Sequence, residues 1–331
     1  MIDFSAREAH FADHLAPVWH QLPAELRGTF WAGPPAAARL AALGVPATVG
    51  EPQAATGPVV VAAWGDLARV RQQRRPIVLF EHGAGQSYST RHPSYCGGRG
   101  RETVSLFLVP NEQAAGRNRR YYPTTPNVVV GSPRVDRLAG IRRQPGPPTV
   151  AVSWHWRCKV APEAGTAFDH YRRHLASWNE SLAARGITLL GHGHPRIFDE
   201  VRVHYHAAGI EAVDNFDELV AHADVLVCDN SSALFEWAAL DRPVVVANCP
   251  RYRRRARHGG RFWDWADSGT QVNSPAEVVP AVVAAFDHDP AAARRRAVAA
   301  EVYPIRGAAA ARAADTLAAL VPVPAATGGG P

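Results

Sequence analysis

Short apolar runs alternate with helical patterns, a Gly/Pro-rich break lies near mid-chain, and polar clusters directly follow the apolar runs. Together they predict an α/β protein of two Rossmann-like domains facing a cleft. The 331 residues suffice for two domains of ordinary size, each with its own core. At 47% hydrophobic and 20% charged, the composition is that of a globular protein rather than a disordered or fibrous chain.

In the first half, β-branched and aromatic runs predict strands near Thr29–Ala32, Val59–Ala62, Ile77–Phe80, Ser105–Val109 and Val128–Val130. Between them, "PAAARLAAL" and "WGDLARVRQQ" carry helical spacing. "GIRRQPGPPT", residues 140–149, reads as a linker. A second series follows, with strands at Val150–Ser153, Thr188–Leu190, Ala212–Asp214, Val225–Cys228 and Val244–Ala247 and a long helix over 165–185. Helical patterns at 275–287, 290–300 and 307–320 close the second domain, one of them free to cross back to the first. Short apolar strands alternating with helices imply parallel sheets covered on both faces. The expected domains are 1–145 and 146–322, with 323–331 as a flexible tail, and no internal repeat is evident.

The opening "MIDFSAREAHFADH" has acids where a signal peptide needs an apolar core. No run of about 18 apolar residues offers a membrane span. Cys96, Cys158, Cys228 and Cys249 are scattered without a C-x-x-C pair, which reads as reduced thiols in a cytoplasmic protein. The net charge of +6 rests on arginine, since Lys159 is the only lysine. That bias by itself carries little functional weight.

Ligands of open parallel sheets sit beyond the carboxyl ends of the strands, and the polar clusters lie there. "EHGAGQSYS" follows Ile77–Phe80, and "GSPRVD" follows Val128–Val130. "SWHWR" follows Val150–Val152, "GHGHPR" follows Thr188–Leu190, and "DNSS" follows Val225–Cys228. Any one of these is ordinary loop chemistry; together they indicate one cleft. Asn230 or Ser231 can cap the helix that follows. No Glu or Gln completes a capping box, so first-turn N–H groups and the hydroxyls of Ser231 and Ser232 can instead hold a phosphate. Glu236, one turn beyond Ser232, can accept hydrogen bonds from a ribose or glycerol diol, or can simply be an acid favoured near a helix start. His192 and His194 fall on opposite sides of an extended chain, a poor pair for one metal ion. Neither a metal nor a cofactor is expected.

"GSPRVDRL", "GHGHPR" and "DNSSALFEWAALDRPVVV", followed by "YRRRARHGGRFWDW", resemble the CDP-glycerol glycerophosphotransferases of teichoic acid synthesis. The matching positions are His82-Gly83, Gly131 to Asp136, Ser153-Trp154-His155, His194-Pro195, Asp229 to Glu236 and Arg242-Pro243, spread over residues 75–270. The Ser-Ser helix and the Pro-Arg segment are the specific parts. The resemblance implies the two-domain GT-B glycosyltransferase fold, with acceptor and base on the first domain and the nucleotide donor on the second. The sequence departs from the family in two places and lacks an extra N-terminal membrane-association region. "HGAGQSYS" has no lysine, and Ser-Trp-His replaces a Thr-Trp-Arg turn.

What the resemblance implies is metal-independent transfer of a glycerol phosphate, or a related polyol-phosphate or glycosyl group, from a nucleotide-diphosphate donor to a hydroxyl acceptor. His82 is the expected general base, since imidazole titrates near working pH; its plainer role is a buried histidine held by a main-chain carbonyl. His194 and Arg196 would stabilise charge on the leaving side. Gly83, Arg134, Asp136, Ser153, Asp229, Asn230, Ser231, Ser232 and Glu236 complete the expected substrate-binding set. The arginine run 251–261 is either a solvated loop or a contact to a polyanion, whether an anionic membrane surface at the inner face or a lipid-linked or polymeric acceptor. Nucleic acid is not an expected partner. Three alternatives stay open: a nucleotide-sugar glycosyltransferase, a UDP-sugar 2-epimerase, and a non-catalytic nucleotide-binding paralogue.

Overall fold

The computed structural model of the chain describes residues 1–53, 56–84, 101–157, 166–229, 231–248 and 265–321. They form two compact units. The first is Met1–His82 with the described parts of Cys96–Asp136 and Ile305–Pro331, and the second is the described parts of Gly83–Tyr95 and Arg137–Pro304.

The sheet of the first unit contains β1 (Ile2–Ala6), β2 (Arg27–Ala32), β3 (Thr48–Val49), β4 (Val59–Val61), β5 (Ile77–Phe80), β6 (Leu106–Val109) and β7 (Asn127–Val129). The sheet of the second contains β8 (Thr149–Trp154), β9 (Thr188–Gly193), β10 (Glu211–Ala212), β11 (Val225–Cys228), β12 (Val244–Ala247) and β13 (Thr270–Val272). The early helices are α1 (Ala9–Gln21), α2 (Pro34–Ala42), α3 (Trp64–Val70), α4 (Glu112–Tyr121) and α5 (Pro133–Ala139). Then come α6 (Phe168–Tyr171), α7 (Leu175–Ala183), α8 (Phe198–Ala207), α9 (Phe216–His222) and α10 (Ala233–Ala239). The last are α11 (Val278–Asp287), α12 (Ala292–Val302) and α13 (Ala309–Ala318).

Both sheets are parallel throughout, with strand orders β3-β2-β1-β4-β5-β6-β7 and β10-β9-β8-β11-β12-β13. Each is a Rossmann order, reversing direction between β1 and β4 in one sheet and between β8 and β11 in the other. Ligands of such sheets sit at that reversal, outside the carboxyl ends. Alternation along the strands buries both faces of the first sheet. Val60, Val78 and Leu108 pack with Phe4, Trp19 and Phe30 on one side, while Val59, Val61, Ile77 and Phe107 pack with Leu67 and Tyr122 on the other.

The observed strands include all those expected, with ends shifted by a few residues, and add β1, β3 and β13. β1 escapes a pattern search because "IDFSA" carries Asp3 and Ser5 at the centre of the sheet. Burial of Asp3 is tolerated because Arg75 donates to it at 2.8 Å and the Thr29 N–H at 2.8 Å. The approach is so close that a Cβ at Gly28 would sit 2.2 Å from the Asp3 carboxylate. The long helix expected over 165–185 is divided, because a 3-10 turn at Arg172–His174 separates α6 from α7.

In the first turn of α3, Asp66 is 1% exposed. Burial pushes its pKa up to about 7, an effect the charge and main-chain N–H of Arg7 offset only in part. The folded state therefore holds a proton that the unfolded chain releases near pH 4, so this group's contribution is lost as pH rises towards 7. We predict that Asp66→Asn matches the wild type in melting temperature near pH 4 and exceeds it at pH 8. The gap should correspond to a few kcal/mol, since each tenfold change in proton affinity is worth about 1.4 kcal/mol; parallel melting curves at both pH values would contradict this.

Candidate active site

In the first unit, His82 follows β5 directly, and Gly83 after it turns the chain with φ +75°, a conformation that favours glycine. The His82 ring is half-buried. Its Nδ1 lies 2.5 Å from the Ala62 carbonyl oxygen at the end of β4. A carbonyl can only accept, so Nδ1 carries the proton and Nε2 keeps its lone pair. Desolvation lowers the pKa to about 4, more than the Ala62 bond and Glu81 raise it, with Arg134 and Arg101 lowering it further. The imidazole is therefore neutral at ordinary pH, with a basic nitrogen. Phe11 meets it edge-on at 4.8 Å between ring centroids, and His14 and His10 lie at 5.6 and 6.0 Å. Neighbouring Glu81 points elsewhere, accepting from Arg101, Arg117 and Asn118.

The segment from Gly131 to Asp136 is occupied with structure. Arg134 donates to Asp13 of α1 at 2.5 Å, and Asp13 also accepts from Arg39 at 2.7 Å. The Asp136 carboxylate accepts from the N–H groups of Gly307 and Ala309 at 2.5 and 2.8 Å, capping α13 from a distant part of the chain. Gly131 (φ +90°) leaves no room for a Cβ, which would meet the Ile305 carbonyl at 2.8 Å. Both charged side chains of this motif thus serve the frame of the first unit.

In the second unit the strand ends converge at the reversal between β8 and β11. Asp229, fully buried after β11, accepts from the N–H of His155 at 2.8 Å and of Ala167 at 2.8 Å. It thereby joins the loop after β8 to the entry of α6. Burial raises its pKa to about 7, with these N–H bonds pulling downward, and together with Asp229 burial pushes the Cys228 thiol well above its usual value. Ser153 and His192 face each other across β8 and β9, Oγ to Nδ1 at 2.7 Å, inside the fold. The two glycines of "GHGH" are packing residues: a Cβ at Gly191 would strike the Tyr205 ring at 2.4 Å, and one at Gly193 the Val201 side chain at 2.8 Å.

His194 and Arg196, just past β9, lie at the open end. The Arg196 N–H donates to His194 Nδ1 at 3.2 Å, so in the neutral ring Nε2 is the donor. The His194 ring stands 5.8 Å from His155 and 5.9 Å from Trp156, and the Arg196 guanidinium lies over the Trp156 ring at 4.5 Å. Ser231 and Ser232 are half-buried. Ser231 Oγ accepts from the Ala233 N–H at 3.3 Å, and Ser232, at the cap position of α10, makes no side-chain cap bond. Glu236 is buried in α10. Asn230 and the arginine run 251–261 lie outside the described residues.

The fold thus gathers Ser153, His194, Arg196, Asp229, Ser231 and Ser232 around the strand ends of the second sheet, while His82, Arg134 and Asp136 belong to the first unit and Gly83 directly follows it in the chain. Trp156 was not among the expected residues. Its partner Arg196 is forty positions away, beyond any local pattern, although two tryptophans in "SWHWR" were a signal. Among the described residues no group of three or more His, Cys, Asp or Glu is arranged to hold a metal ion.

Residues 167–312 match the model of the family "CDP-Glycerol:Poly(glycerophosphate) glycerophosphotransferase". No match was found among curated proteins. Among solved structures, the wall teichoic acid polymerase TagF (H444N variant soaked with CDPG) superposes with a TM-score of 0.69 at 14% identity, covering 96% of this chain and 88% of that one. A putative UDP-N-acetylglucosamine 2-epimerase from Listeria monocytogenes gives 0.64 at 12%, covering 96% and 94%. S. aureus MnaA in complex with UDP gives 0.65 at 13%, covering 93% of each. At these identities the likeness speaks for the fold, which is α/β and of the GT-B class.

From this geometry we predict that Asp136→Ala loosens α13, leaving two N–H groups without an acceptor. Urea denaturation should register a loss of about 1–3 kcal/mol; an unchanged midpoint would contradict the cap. The resemblance read from the sequence is matched over residues 167–312, which are similar to the glycerophosphotransferase family model, and the fold is of the GT-B class.

Proposed function

We propose that the chain is a transferase of the CDP-glycerol glycerophosphotransferase type, moving glycerol phosphate from CDP-glycerol to a hydroxyl acceptor. The observation that carries this reading is the family match over residues 167–312, which spans His194, Arg196 and the Ser-Ser turn. Location supports it too. Those residues surround the strand reversal of the second sheet, where a nucleotide belongs.

In this reading the second unit holds the donor. Ser231 and Ser232 offer hydroxyls to the diphosphate, Arg196 is held by Trp156 to face it, and His194 donates from Nε2 to oxygens on the leaving side. The Asp229 carboxylate fixes the loops these groups stand on. Glu236 addresses the diol. His82 of the first unit takes the acceptor proton on Nε2. The acceptor O–P bond forms at the glycerol-bearing phosphorus as the bridging P–O bond breaks, and CMP leaves. A lipid-linked or polymeric acceptor and peripheral contact with an anionic membrane extend the same reading. No helix among the described residues is long and apolar enough to cross a membrane. UDP-sugar enzymes share the fold, and the family match favours the glycerol donor over theirs.

Three outcomes are expected. His82→Ala should abolish turnover while calorimetry still records CDP-glycerol binding; wild-type turnover would remove His82 from the base role. Replacing Ser231 and Ser232 together by Ala should weaken CDP-glycerol about tenfold to a hundredfold, as for loss of one or two charge-assisted bonds. In the wild type CDP-glycerol should bind more tightly than UDP-N-acetylglucosamine, and the reverse order would favour the sugar-nucleotide reading.

A further inference from the structure

Transfer from CDP-glycerol releases a proton. The acceptor loses its hydroxyl hydrogen, the product is a diester, and CMP leaves as a monoester largely dianionic near neutral pH, with a second pKa of about 6. His82 receives that proton on Nε2 and cannot pass it through its own ring, because Nδ1–H is already committed to the Ala62 carbonyl. A carbonyl oxygen conducts no further. Nor does a desolvated ring hold a second proton for long. Besides the solvent that the half-buried ring meets, the proton can leave through the groups that pack around His82.

Among the described residues, the groups facing His82 are few. Arg134 and Arg101 are permanent cations and cannot accept. Glu81 is engaged by Arg101, Arg117 and Asn118, and Phe11 has no acceptor. That leaves His10 and His14, one turn apart on α1 and so on one face of it, with ring centroids 6.0 and 5.6 Å from His82. At such separations ring nitrogens can be joined directly or through one water. His14 is buried, 5% exposed, whereas His10 is half-exposed. The arrangement is held firmly, because Asp13, between them in sequence, anchors α1 to Arg39 and Arg134.

We propose that His10 is the proton shuttle of this site, taking the acceptor's proton from His82 and delivering it to water. The inference rests on the proposed transferase reading with His82 as base. One nitrogen–hydrogen bond breaks at His82 Nε2 as one forms at a His10 ring nitrogen, which then loses its proton to solvent. His82 returns neutral and nothing is oxidised.

The test is turnover of CDP-glycerol by His10→Ala, His14→Asn and His82→Ala in a non-coordinating buffer, with and without added imidazole. His10→Ala should lower kcat about tenfold or more, leave the KM for CDP-glycerol unchanged, and recover towards wild type as imidazole is raised. An exogenous base replaces a shuttle but not a packing residue. Wild-type kcat in His10→Ala, or a loss that imidazole leaves untouched in a variant with normal circular dichroism and melting temperature, overturns the shuttle. So does a rescuable loss confined to His14→Asn. If His82→Ala is itself fully active, the base reading fails instead, and the two failures are distinct.

Discussion

One buried carboxylate organises the strand-end loops of the second sheet, where the proposed donor site lies. In a parallel sheet all strands end at the same edge, and the loops beyond it must find partners for main-chain groups that the sheet no longer pairs. At the carboxyl edge of the second sheet Asp229 supplies them, binding the N–H groups of His155 and Ala167 from a fully buried position. The cost of desolvation is visible in its raised pKa, and the return is geometry. The loop carrying His155 and Trp156 is fixed, and Trp156 in turn stacks under Arg196 beside His194. An exposed acid at the same place would leave that loop, and the cations it presents, without a defined direction.

The same logic runs through the first unit with other residues. Asp13 is shared by Arg39 and Arg134, and Asp136 caps α13. These ion pairs and caps join segments far apart in sequence. With one partner removed, each would leave a buried charge or several N–H groups uncompensated. They explain how a chain whose only lysine is Lys159 keeps so many arginines in place. Several of those arginines are structural, which leaves Arg196 among the cations standing at a strand end beside histidines.

Much of this was legible in the sequence. Apolar strands such as "IVLF" and "VLVC" are buried on both sides and need no alternation to be recognised, so the two-sheet α/β architecture followed directly. The strand-end clusters were readable because parallel sheets place functional loops there. What escaped was pairing over long distances. β1 looked too polar because nothing local announces that Arg75 neutralises Asp3. Arg134 and Asp136 stood in a motif suggestive of substrate binding, while their partners Asp13, Gly307 and Ala309 lay more than a hundred residues away. The long helix over 165–185 broke at Arg172–His174 although its composition favours continuation. His10 and His14 carry no signal in the sequence, and only the fold sets them beside His82.

The proposed transferase would break the diphosphate of a CDP-linked glycerol rather than act at the anomeric carbon of a nucleotide sugar. Phosphorus NMR of the protein with CDP-glycerol and a glycerol-phosphate-terminated acceptor tests it most directly. Both diphosphate resonances should be lost, with CMP and a new phosphodiester appearing in equal amounts and only when acceptor is present. An intact donor under those conditions, alongside epimerisation or transfer when UDP-N-acetylglucosamine is supplied instead, would contradict it.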